Sequence, residues 1–132
     1  MDQGPVVIDE IYAGSRFLAE FQEYIPIKTA FWLKESDEMQ RYLYVASDEI
    51  TDDNFDIAYG EVIRIASKLD DPLFDPFKVK LVGGHHPLAK EASNIRKYYR
   101  PESAVRLRDK VFGGSLAEEV YIYPENTVKI AT

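Results

Sequence analysis

A chain of 132 residues with 45% hydrophobic and 13% aromatic content can bury one core without metal or disulfide staples, and is too apolar to be disordered. It holds no cysteine, which excludes disulfides and thiolate metal sites and leads us to expect a reducing, cytoplasmic setting. A net charge of −7 weighs against a general nucleic-acid coat. No run approaches the ~20 apolar residues that cross a bilayer, and the first ten residues lack the basic and long apolar regions of a signal peptide, so no membrane placement is expected.

The first predicted helix covers residues 15–24. Phe17, Phe21 and Tyr24 recur at the helical period with Leu18 beside them, and Ser15, after Gly14, is placed to cap the start. Pro26 ends it, because it disfavours helical geometry at Ile25 and supplies no N–H. Residues 27–33 and 40–47 then read as the two arms of a β-hairpin around a polar turn, Lys34 to Glu38. In the second arm Tyr42, Tyr44 and Ala46 share one face, and Leu43 and Val45 the other. Trp32, the only tryptophan, is expected as a core residue of the first arm.

Residues 52–69 carry the strongest helical pattern. Ala58, Val62, Ile65 and Leu69 form its apolar stripe, and Asp52, Asp53 and Asp56 crowd the end where the helix dipole favours carboxylates. Asp71-Pro72 and Asp75-Pro76 mark an irregular loop. Residues 77–82 alternate Phe77, Val79 and Leu81 with Lys78 and Lys80, a half-exposed strand whose lysines suit a sheet edge. A Gly83-Gly84-His85-His86-Pro87 turn leads into a helix with Leu88, Ala92, Ile95 and Tyr99 as its stripe, stopped by Pro101. The tail reads as short strands at 104–108, 119–123 and 127–130, with Gly113-Gly114 between the first two. No repeat or linker divides the chain. The expectation is a single α+β domain over residues 1–132, in the order α-β-β-α-β-α-β-β, with a mixed or antiparallel sheet and helices covering one face.

The segments Thr29-Ala30-Phe31-Trp32-Leu33, Tyr42-Leu43-Tyr44-Val45-Ala46-Ser47 and Ala58-Tyr59 resemble a pattern found in an uncharacterised family of small bacterial proteins. There an alanine-aromatic-tryptophan-leucine strand, an acidic turn, a strand ending in Ala-Ser and an Ala-Tyr helix follow one another. The likeness covers about the first half of the chain, and Val120-Tyr121-Ile122-Tyr123 extends it. It implies a bacterial origin and a shared fold, and brings no reaction, ligand or catalytic residue.

The most suggestive segment chemically is the turn over residues 83–90. Gly83 and Gly84 let the backbone approach a ligand closely, and the helix start behind them offers free N–H groups to an anion. His85 and His86, the only histidines, and Lys90 complete a candidate anion or ligand site. Two adjacent histidines do not make a zinc site, and the turn matches neither the phosphate loop nor the dinucleotide fingerprint. Asp52, Asn54 and Asp56 alternate as in a calcium loop, but Ile57 and Ile63 stand where glycine and glutamate are required. No serine lies in a nucleophile elbow. Neither metal nor cofactor is expected.

Charge is uneven along the chain. Residues 35–75 hold 12 acidic and 3 basic side chains, while residues 96–110 hold 6 basic and 2 acidic. The basic stretch interleaves Arg96, Lys97, Arg100, Arg106, Arg108 and Lys110 with Tyr98 and Tyr99, which reads as a solvated or protein-docking face before a nucleic-acid one. Two functions are therefore carried forward. One is a non-enzymatic binding or assembly protein, with a protein partner or a second copy of itself. The other is a small enzyme or ligand-binding domain using the 83–90 turn, which a pocket lined by the histidines and Arg96 or Arg108 would favour.

Overall fold

Helical and strand periods alternate along the chain, and the computed structural model, which describes residues 8–128, turns that alternation into an α+β fold. Its elements are α1 (Ile8–Tyr24), β1 (Thr29–Glu35), β2 (Tyr42–Ser47), α2 (Phe55–Leu69), β3 (Val79–Gly83), α3 (Pro87–Arg96), β4 (Val105–Phe112), β5 (Ser115–Ile122) and the short α4 (Glu125–Val128). The strands form one mixed sheet in the order β3-β2-β1-β5-β4. β2 and β3 are parallel, joined through α2, and the other neighbours are antiparallel. β3 lies at an edge with Lys80 exposed, as its lysines suggest.

The helices cover both faces of the sheet, which corrects the one-face expectation. α1 and α2 bury Phe17, Phe21, Val62 and Ile65 against Trp32, Leu43, Val45 and Leu81. α3 buries Leu88 and Ala92 on the opposite side, against Phe31, Leu33, Val120 and Ile122. The connectivity accounts for this. α3 links β3 at one edge to β4 at the other, so it must cross the sheet, and the first face is already occupied.

Several boundaries move for identifiable reasons. Ser15 does not cap α1 but lies inside it. The helix carries Asp9 and Glu10 in its first turn, and Gly14 is buried mid-helix. A Cβ at Gly14 would stand 2.2 Å from the Tyr123 hydroxyl, so the glycine serves close packing there. That hydroxyl accepts from Trp32 Nε1 (3.0 Å) and donates to the Ile11 carbonyl (2.8 Å). Residues 76–78 form a 3-10 turn, with the Asp75 side chain accepting from the Phe77 N–H, and the strand begins only at Val79. Tyr59 of α2 fastens that turn by donating to the Pro76 and Val79 carbonyls. α3 ends at Arg96, leaving Tyr98 and Tyr99 exposed.

The tail strands are longer than expected. β4 and β5 make an antiparallel hairpin through Gly113 (φ 60°) and Gly114 (φ 91°), the paired positive angles that two-residue hairpin turns require. Thr127 belongs to α4 and not to a third strand; residues 129–130 of that expected strand lie outside the described residues. The β1–β5 register shifts at Lys34/Glu35, an extra-residue bulge that lets Ala117 and Val120 reach the same core. On the other face Arg41 is buried between Glu10 (2.8 Å) and Glu119 (3.9 Å), and Arg106 lies 3.7 Å from Glu119 and 5.0 Å above the Tyr121 ring. This network ties α1 to the sheet.

Candidate functional site

β2, β3 and β5 all run one way, and β1 runs against them. The carboxyl ends of three strands and the amino end of β1 therefore meet at one margin of the sheet. A cleft of about 370 Å³ opens there.

Four segments build it. At the end of β2, the fully buried Ser47 accepts from the Glu49 N–H (3.1 Å), which turns the chain and presents Asp48 and Glu49 at the rim. The residues leading into β1 bring Ile27 and Lys28, with Thr29 buried at the base. The third wall is α3 with its C-cap: Ser93, Arg96 and the capping Lys97 lie at i, i+3 and i+4 and so share one face. Tyr123 and Glu125, just past β5, close the fourth side.

Arg96 stands out among these. It is only 7% exposed. Its Nη1 donates to the Tyr123 carbonyl (3.0 Å) and its Nη2 to the Arg100 carbonyl, which fixes the guanidinium in place. Its Nε has no partner, and neither has the buried Ser93 Oγ one helical turn away. Among the described residues no carboxylate lies within ion-pair distance of Arg96. A guanidinium keeps its charge inside proteins, and a buried charge without a counter-charge costs several kcal/mol. The cleft lining thus includes a fixed cation, and the buried Arg96 N–H and Ser93 hydroxyl are idle.

The 83–90 turn borders this cleft without lining it. Gly84 packs so closely on Asp48 that a Cβ would fall 1.7 Å from its Oδ1, and the Gly84 carbonyl accepts from Lys28 Nζ at 3.5 Å. The turn therefore meets a carboxylate where an anion was expected. His86 caps α3, its Nδ1 accepting from the Leu88 N–H at 3.1 Å, so that helix-start donor is already engaged. His86 also lies 6.4 Å from the Tyr44 ring and does not line Arg96's cleft, while His85 and Lys90 are exposed. Gly83 closes β3. Of the calcium-like trio, Asn54 is committed to its own turn, accepting from the Thr51 N–H and donating to the Glu49 carbonyl, both at 2.8 Å. No cluster of three metal-ligating side chains occurs among the described residues. The basic stretch is divided: Arg96 is buried in the cleft, Arg106 joins the Glu119 network, and Tyr98 is solvent-exposed.

Burial perturbs the aromatic hydroxyls nearby. Tyr123 is pushed well above its ordinary pKa by burial, only partly opposed by the Trp32 hydrogen bond. Tyr44 is pushed up to about 12 by burial first, then by Glu35 and Glu38. Both hydroxyls remain neutral donors or acceptors through the physiological range. No family model, curated protein or solved structure matches the chain.

Proposed function

We propose that this protein is a binding protein, and that the cleft beside Arg96 takes a small solute bearing a carboxylate or phosphate group. One observation carries the reading: Arg96 is a buried, rigidly held guanidinium with an unpartnered Nε and, among the described residues, no carboxylate within ion-pair distance. Arginine's planar fork matches an oxyanion in geometry as well as charge. Ser93 adds a second idle donor from the same helix face. Binding is favoured over catalysis because the serines at hand lack an activating base: Ser47 is tied to the Glu49 N–H, and both histidines belong to the neighbouring turn. The cysteine-free chain supports a cytoplasmic setting.

Thermal unfolding in phosphate and in propionate, against chloride at matched ionic strength, tests the reading. A ligand that binds only the folded state stabilises it by about 2.7 kcal/mol at a hundred times its Kd. The expected result is saturable stabilisation that Arg96→Met abolishes and His86→Ser, which keeps a helix cap, leaves intact. Equal responses to all three anions, or loss on His86→Ser with Arg96→Met unaffected, refute the Arg96 site.

A further inference from the structure

We infer that the solute held by this cleft is a zwitterion, an α-amino acid, bound by its carboxylate on α3 and by its ammonium on the loop after β2. The inference rests on the Arg96 reading above and adds a second, opposite charge to the ligand.

The charges lining the cleft carry it. Among the described residues lining the cleft, Lys28, Arg96 and Lys97 are matched by Asp48, Glu49 and Glu125. The signs are also separated by segment. α3 contributes only cations, and the loop after β2 only carboxylates. A simple anion is attracted by one wall and repelled by the other. A molecule with a carboxylate at one end and an ammonium at the other is attracted by both.

The cation wall is the buried one, with Arg96 Nε and Ser93 Oγ unpartnered. The acidic wall is the exposed one. Asp48 sits against Gly84 with Lys28 Nζ 3.7 Å away, and the Glu49 backbone is held by Ser47 Oγ. Between them Pro26, Ile27 and Tyr123 supply apolar surface for a side chain. A volume of about 370 Å³ is near the lower limit of small-molecule pockets and accommodates one amino acid.

Calorimetric titration and thermal unfolding of the full chain with the twenty standard L-amino acids, propionate, ethylamine and phosphate, at matched ionic strength, test this. At least one amino acid is expected to bind about tenfold or more tightly than propionate, and ethylamine not to bind. Asp48→Asn together with Glu49→Gln, both at exposed positions, is expected to cancel that advantage while propionate still binds. If propionate binds as well as every amino acid, the zwitterion is overturned and the anion site stands. If amino acids bind but the double variant keeps the advantage, the ammonium assignment is overturned. If no probe binds, both this inference and the Arg96 reading fall.

Discussion

Gly14→Ala is expected to destabilise the protein, although alanine is the better helix former. In a helix interior alanine is favoured over glycine by about 1 kcal/mol. Against that, the new Cβ would lie 2.2 Å from the Tyr123 hydroxyl, far inside contact distance. The ring cannot swing aside freely. Tyr123 is 2% exposed, and its hydroxyl is held by Trp32 and by the Ile11 carbonyl. Displacing it by about 1 Å breaks both hydrogen bonds, and leaving the buried indole N–H unpaired costs about 1–3 kcal/mol. The net loss should be on the order of 1–3 kcal/mol, the usual range for overpacking a core. Tyr123→Phe should cost a similar amount by the same hydrogen bonds. The decisive measurement is the double variant. Without the hydroxyl, the next atoms in the way are Tyr123 Cζ at 3.3 Å and Trp32 Nε1 at 3.5 Å, close to ordinary contact. In the Tyr123→Phe background, Gly14→Ala should therefore become neutral or stabilising. Urea unfolding of all four proteins reads the sign. If Gly14→Ala shifts the midpoint equally in both backgrounds, the hydroxyl is not the obstacle and the reasoning fails.

Ile65, 0% exposed on the α2 stripe, should lose about 2–5 kcal/mol on truncation to Ala; an unchanged denaturant midpoint would place it outside the core. At alkaline pH the direction follows from the buried hydroxyls. Tyr44, Tyr59, Tyr121 and Tyr123 are all raised, chiefly by burial, so the folded state holds protons that the unfolded chain has released. Their stabilisation is complete below about pH 10 and is lost as pH rises through about 12, where Tyr44 titrates. Tyrosinate absorbance followed with far-ultraviolet circular dichroism should show part of the nine tyrosines ionising only as the fold is lost. A single transition near pH 10 with helix content intact would contradict this.

Much of the architecture could be read from residue order because the stripes are strong. Ala58, Val62 and Ile65 are buried where the helical period puts them, and Tyr44 faces away from Leu43 and Val45 as strand alternation requires. The two-sided helix cover also had a signal. Ala30-Phe31-Trp32-Leu33 is continuously apolar, which marks a strand buried on both faces. The start of α1 was hidden because Gly14 reads locally as a breaker, and its partner, Tyr123, is 109 residues away. Arg96 was invisible for a related reason. In the sequence it belongs to a basic stretch, and nothing near it shows that the carbonyls of Arg100 and Tyr123 converge on its guanidinium. The spacing of Ser93, Arg96 and Lys97 was the available clue to a shared face. The opposite wall comes from residues 47–49, which no local pattern links to α3.

β1 is made early and finished late. It lies third in the sheet, with β2 available almost at once but β5 some 80 residues downstream. During synthesis from the N-terminus, a chain that has not yet delivered residues 115–122 presents Ala30-Phe31-Trp32-Leu33 as an open edge, apolar on both sides, with the Trp32 indole lacking its tyrosine. Unpaired apolar edges of that kind are what chains aggregate through while they fold. Ribosome-bound intermediates ending before β5 should therefore need chaperone cover. Release of β5 completes the central pairing, the Tyr123 anchor and the last wall of the cleft in one event, so a chain able to bind its ligand is one that has finished folding.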